Sequence, residues 1–170
     1  VKETELKVLL AKKFEDKVPD DLTKFGSSEK LDGIRAYYDD KDGELYTRNG
    51  HKIHAPDWFL DEIPKGNDLD GELWISREKK AFDKVSGICR KLDHIDEDWI
   101  QVKYLVFDIP NIKKPFEERY DLYTKILKEK NSKYVLPVVV TRVISIEKLY
   151  EDLAAIEKIG GEGLMLRKFD

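Results

Sequence analysis

The chain has 170 residues, 41% of them hydrophobic and 39% charged, with a net charge of −4. This is enough for one domain with a sizeable, heavily solvated core, and no apolar run approaches the length of a membrane span. The single cysteine, Cys89, excludes an internal disulfide framework, and the acidic balance lacks the basic footprint of a nucleic-acid binder. Such binding would need cations segregated locally, or a gripping module outside this chain. The start, Val1-Lys2-Glu3-Thr4, carries no signal-peptide pattern and no initiator methionine.

Leu6, Leu9 or Leu10, and Phe14 recur at helical spacing and predict a helix over 5–14, followed by a loop over 20–25. Strands are expected at 34–38 and 44–47, joined by the acidic, glycine-ended hairpin loop 39–43. Pro56 opens a short helix carrying Trp58 and Phe59. A strand at 69–76 precedes a helix marked by Phe82, Val85, Ile88 and Cys89, with Cys89 as a small core residue. The apolar run 102–109 reads as a buried strand ended by Pro110. Pro115 starts a helix through 128, and the β-branched run 135–143 reads as a strand. Ile146, Leu149, Leu153 and Ile156 form an amphipathic helix stopped by Gly160-Gly161, and 163–167 is the last strand. This order predicts a single α+β domain over 1–170, with mixed or antiparallel sheets flanked by helices.

Several runs carry chemistry. In Ser28-Glu29-Lys30-Leu31-Asp32-Gly33-Ile34-Arg35, strand alternation would put Lys30, Asp32 and Ile34 on one face and Leu31, Gly33 and Arg35 on the other. Amine and carboxylate would then project side by side. Gly33 permits close approach of a ligand or backbone, and Arg35 offers a planar fork for phosphate or carboxylate. An exposed Lys–Asp pair by itself is only a weak surface ion pair. Arg48 precedes an Asn-Gly turn. Glu72, inside the apolar Leu69-Asp70-Gly71-Glu72-Leu73, needs a partner if it points inward. Phe107 and Asp108 end an apolar strand, and Glu162 sits between two glycines ahead of Leu164-Met165-Leu166-Arg167. His51, His54 and His94 show no metal-ligand spacing.

The run Lys30-Leu31-Asp32-Gly33-Ile34-Arg35 resembles the KxDGxR nucleotidyl-lysine motif of ATP-dependent DNA ligases, RNA ligases and mRNA capping enzymes. Thr47-Arg48-Asn49-Gly50, Asp70-Gly71-Glu72, Tyr104 through Asp108 and Glu162-Gly163-Leu164-Met165-Leu166-Arg167 follow in that superfamily's order. The EG-x-M-x-R spelling is typical of DNA ligases rather than capping enzymes. The resemblance runs from about Leu9 to the end and is closest to the minimal bacterial and viral enzymes. It implies a ligase-type nucleotidyltransferase (ATP-grasp-like) domain that forms a covalent lysyl-AMP and seals nicked double-stranded DNA.

By the resemblance, Lys30 is the nucleophile. Glu29, Arg35, Arg48, Glu72 and Phe107 bind the nucleotide, Phe107 by stacking on the purine. Asp32 orients the amine, and Glu162 with Glu72 binds Mg²⁺. ATP and Mg²⁺ are the implied cofactors and a monomer acting on DNA without a membrane is the implied state; the compartment stays open, intracellular (bacterial or viral) or bacterial periplasm being the options the resemblance offers. A Lys-x-Lys pair and an oligonucleotide-binding domain are expected beyond Asp170 in a full-length protein, so residues 1–170 are expected to be a C-terminally incomplete adenylation-domain fragment that self-adenylates poorly or not at all. RNA ligation, GTP-dependent capping, NAD-dependent ligation and a non-enzymatic nucleotide-binding relic are the alternatives.

Overall fold

The computed structural model describes residues 5–8, 21–93 and 96–170. The chain divides into two compact units, one made of 1–31 with 138–170 and the other of 32–137.

The first unit is built on a four-stranded antiparallel sheet in the order β1-β10-β2-β9. Its strands are β1 (Glu5–Val8), β2 (Phe25–Glu29), β9 (Thr141–Arg142) and β10 (Leu164–Lys168). Helix α5 (Ile146–Lys158) begins at Ser145, whose hydroxyl accepts the Lys148 amide at 3.1 Å, as a good N-cap does. Leu149 and Leu153 on its apolar stripe pack with Phe25, Val143, Leu164 and Leu166 to form the core. Gly160, at φ +90°, ends the helix in a conformation that side chains with a Cβ rarely adopt. The segment 5–8 is thus a strand paired to β10, not the start of a helix; the remainder of the expected 5–14 helix lies outside the described residues.

The second unit holds a six-stranded sheet in the order β5-β4-β3-β6-β7-β8. Its strands are β3 (Ile34–Asp39), β4 (Glu44–Tyr46), β5 (Lys52–Ile53), β6 (Leu69–Trp74), β7 (Lys103–Asp108) and β8 (Val135–Pro137). All neighbours are antiparallel except β7 and β8, so the expected mixed α+β sheet is present. The parallel pair needs a crossover, which helix α4 (Phe116–Lys130) supplies, packing on both strands. Shorter helices are α1 (Asp57–Asp61), α2 (Ala81–Arg90) and α3 (Asp96–Trp99); α2 packs on β3 and β6. Ala36, Tyr38, Leu69, Leu73, Tyr104 and Val106 alternate inward and are fully buried or nearly so. Tyr104 donates its hydroxyl to the carbonyls of Ala36 and Leu69, at 2.9 and 3.2 Å.

Two expected strands break. β2 ends at Glu29 and β3 starts at Ile34, in different sheets, so period-2 alternation does not run through Lys30–Gly33. The run 135–143 likewise divides: β8 stops at Pro137, which cannot donate a ladder hydrogen bond, and β9 joins the other sheet.

Candidate active site

In the first unit, Lys30 follows directly on β2. Its amide donates to the Gly163 carbonyl at 2.8 Å, extending the β2–β10 pairing by one residue. Its Nζ stands 3.2 Å from Glu162 Oε2, with the lysine side chain 22% exposed and the glutamate 42%. Glycine is required around this pair. Gly163 has φ +151°. A Cβ on Gly161 would fall 2.4 Å from Ile156 Cγ2 and 3.1 Å from Glu29 Oε2, so Glu29 lies against the turn that presents Glu162.

In the second unit, alternation puts Arg35, Tyr37, Asp70, Glu72, Trp74 and Phe107 on the more open face of the sheet, while their neighbours are buried. Arg35 and Glu72 are direct cross-strand partners. Arg35 also meets Asp70 in a two-point pair, Nη2–Oδ2 2.7 Å and Nε–Oδ1 3.3 Å, and its guanidinium lies 5.4 Å from the centroid of the Phe107 ring. A bulge falls at Phe107: Asp70 pairs with Asp108 but Gly71 with Val106, leaving Phe107 as the extra residue in the register. A Cβ on Gly33 would sit 2.3 Å from the Leu73 carbonyl oxygen and 3.1 Å from Glu72 Cγ, so glycine here lets the backbone pass close to the Glu72 side chain.

Beside Arg35 lies an open depression of about 510 Å³, lined among others by Tyr37, Tyr46, Thr47, Arg48 and Asp70. The turn after β4 builds its rim: the Gly50 amide bonds the Thr47 carbonyl at 2.9 Å, and the His51 amide bonds Thr47 Oγ1 at 3.1 Å. Gly50 takes φ +84°, which leaves Arg48 exposed, without an ion pair among the described residues. Tyr37 donates to Asp68 Oδ2 at 2.7 Å, and Asp68 also accepts the Asp40 amide and Asn111 Nδ2. Burial works to raise the Asp68 pKa, but these three hydrogen bonds outweigh it and hold the carboxyl below its ordinary value. Burial first, and then the bond to Asp68, pushes the Tyr37 phenol up. Tyr46 donates to Asp42, and this bond raises its pKa to about 12.

Of the sequence-predicted residues, Lys30, Glu29 and Glu162 fall together in the first unit, and Arg35, Glu72 and Phe107 share a sheet face in the second. Arg48 stands at the rim of the depression. Asp32 is exposed in the segment ahead of β3, outside any strand. Asp108 points the other way: it is buried and paired with Arg119, Nε–Oδ1 2.9 Å. Asp70, Tyr37 and Tyr46 were not singled out from sequence, although period-2 alternation from Arg35 and Glu72 reaches Tyr37 and Asp70.

Among the described residues, no three His, Cys, Asp or Glu side chains gather into a metal cluster. Mg²⁺ commonly takes one or two carboxylates and completes its shell with waters and substrate phosphates. Glu162 in the first unit and, separately, Glu72 in the second are each a single carboxylate of the kind such a shell takes.

Residues 8–170 match the family model described as the ATP dependent DNA ligase domain. The chain belongs to that family. It is 32% identical over 140 residues to a DNA ligase of Haemophilus influenzae, covering 82% of this chain and 50% of that protein. A solved structure from a structure–function study of Lig E DNA ligases, on DNA binding with a minimal scaffold, is 32% identical with a TM-score of 0.78, covering 92% of this chain and 59% of its own. The Chlorella virus DNA ligase–adenylate, 20% identical with a TM-score of 0.67 over 86% and 55%, shares the fold. The chain therefore spans about half the length of the curated relative it matches.

Proposed function

We propose that this chain is the adenylation domain of an ATP-dependent DNA ligase acting on nicked double-stranded DNA. The observation that carries the reading is the Lys30–Glu162 pair, 3.2 Å apart where β2 meets β10, in a chain of this family. At rest the amine stands at ion-pairing distance from the Glu162 carboxyl group. Attack requires the neutral amine, so its proton passes to solvent water and the pair opens. The nitrogen lone pair then forms a bond to the α-phosphorus of ATP while the bond to pyrophosphate breaks, giving lysyl-AMP.

Phe107 offers a stacking face for the purine, and Arg35 with Glu72 offers a donor and an acceptor beside it for the sugar. Arg48, unpaired at the rim, suits a phosphate. Glu162, with Glu72, would hold Mg²⁺, which when bound offsets charge on the phosphates. AMP then passes from Lys30 to the 5′-phosphate of the nick, and the 3′-hydroxyl displaces it to seal the strand. The full-length protein works as a monomer in which an oligonucleotide-binding domain follows this one.

Intact-mass spectrometry tests the reading on a protein extended past Asp170 to the length of its relatives, incubated with Mg²⁺ and ATP, GTP or NAD. One AMP added from ATP, absent in Lys30→Ala, is expected. GMP from GTP would indicate capping chemistry and AMP from NAD the other ligase class. A folded protein that takes no nucleotide from any of them would refute the proposal.

A further inference from the structure

The Tyr37 phenol has two carboxylates to choose between. On β3 it is the direct cross-strand partner of Asp70, and side chains directly opposite on one face of a sheet lie within reach of each other, about 5 Å apart at Cβ. Asp68 stands two residues before Asp70, just ahead of β6, so the second carboxylate is about 7 Å away along an extended chain. Tyr37 donates to Asp68 Oδ2, at 2.7 Å. Burial first, then the bond to Asp68 and the charges of Asp68 and Asp70, raise the phenol. Tyr37 is thus a donor at neutral pH, with the Asp70 charge close by.

The two carboxylates are held for different uses. Asp68 is a fixed acceptor: Oδ1 takes the Asp40 amide at 2.8 Å and Oδ2 takes Asn111 Nδ2 at 2.7 Å. Asp40 Oδ1 in turn takes the Gly66 amide at 2.8 Å. The hairpin loop after β3, the turn before β6 and the segment after β7 therefore converge on this side chain, and Tyr37 comes to it. Asp70 instead receives the fork of Arg35, Nη2 at 2.7 Å and Nε at the longer 3.3 Å. The Asp70 side chain is 14% exposed and that of Arg35 44%, so the inner carboxylate sets the direction of a guanidinium that is otherwise open to solvent. That direction puts Arg35 5.4 Å from the Phe107 ring centroid and opposite Glu72.

We propose that Asp68 is a positioning residue for Arg35: by taking the Tyr37 hydroxyl it keeps that donor off Asp70 and leaves the Asp70 carboxylate to hold the guanidinium fork beside Phe107 and Glu72. Without an acceptor at position 68, the phenol turns to its cross-strand partner. The longer Nε–Oδ1 contact is the first to give way, and the fork swings from the ring. A role confined to tying loops together would be lost equally with or without the Tyr37 hydroxyl, whereas this one vanishes when the hydroxyl is removed. The consequence for ATP rests on the reading of Arg35 as a nucleotide ligand; the arrangement itself belongs to this chain's own hydrogen bonds.

The test reads the Arg35 Nε–H signal by proton–nitrogen NMR in the 170-residue chain, identified by its loss in R35K, and titrates ATP into the same proteins by calorimetry. D68N keeps the side-chain volume and an oxygen for the Asp40 amide, but turns to Tyr37 an amide nitrogen that cannot accept. It should shift the Arg35 signal and weaken ATP binding about tenfold, the scale of one hydrogen bond to a charged group. D68N/Y37F should return both readings to those of Y37F alone, because no phenol is left to divert. D68A, with and without Y37F, repeats the comparison with a side chain that makes no hydrogen bond, and circular dichroism verifies folding. An unmoved Arg35 signal in folded D68N and D68A would overturn the proposal. So would a shift that Y37F does not reverse, which would leave Asp68 as a tie between loops. R35K that binds ATP like the parent refutes the nucleotide reading of Arg35 and leaves the positioning standing on the NMR signal. R35K that loses ATP, while D68N keeps both signal and affinity, does the reverse.

Discussion

Replacing Asp108 with alanine separates a carboxylate that serves the fold from one that serves chemistry. Asp108 is 8% exposed and Arg119 7%. Asp108 Oδ1 accepts from Arg119 Nε at 2.9 Å and from the Ile109 amide at 2.7 Å, and Oδ2 accepts from Nη2 at 3.3 Å. Arg119 Nη1 donates to the Lys114 carbonyl at 2.6 Å. Asp108→Ala removes the counter-charge and leaves a buried guanidinium behind, a loss of about 3–5 kcal/mol. At roughly 2–4 °C per kcal/mol for a chain of this size, the melting temperature should fall by about 6–20 °C. The double variant D108A/R119M removes both charges and should recover most of the loss, since apolar replacement of a buried pair is often neutral. Thermal melts by circular dichroism measure all three proteins, and ATP binding well below the melting point should change little. A D108A protein that melts like the parent but no longer binds ATP would refute the structural assignment.

Phe107→Ala should weaken ATP binding by about 1–3 kcal/mol if the ring stacks on the base, and calorimetry should find most of it restored by Phe107→Tyr. Gly71→Ala would bring a Cβ to 2.5 Å from the Leu105 carbonyl oxygen and 2.8 Å from the Tyr104 ring; the overpacking should cost about 1–3 kcal/mol in urea melts. Ser145→Ala removes the cap of α5 and should cost about 1 kcal/mol, with Ser145→Asp largely neutral. Burial pushes the Cys89 thiol from 9.0 up to about 12, so a disulfide reagent at pH 8 should react only after denaturation. The unfolded thiol ionises first on raising the pH, so the associated stability should decline between pH 9 and 12.

Local chemistry made much of this legible. Pro56 and Pro115 each precede a helix, because proline suits that boundary and needs no donor. β6 and β7 show in their alternation of buried and open positions. The misread stretches depended on distant partners. Leu6 and Leu9 fit a helical period, yet 5–8 is a strand because β10, far along the chain, offers it a ladder. A continuous β-branched run at 135–143 gives no sign that its two ends join different sheets. The motif residues stood out by their order, whereas the Arg35–Asp70 pair and the two tyrosines beside Arg48 depend on cross-strand register, which no short window of sequence encodes.

The second unit is one uninterrupted stretch, 32–137, placed between the two pieces of the first. The ladder of β2 with β10 joins Phe25 to Lys168, so the lysine-bearing sheet can close only after the whole intervening stretch has left the ribosome. Closing so long a loop is entropically costlier for an open coil than for a segment already collapsed. The sheet face of Arg35, Glu72 and Phe107 is therefore expected to mature first during synthesis. Lys30 would acquire its strand partner last, so that its amine meets Glu162 only in a chain whose other half is already folded.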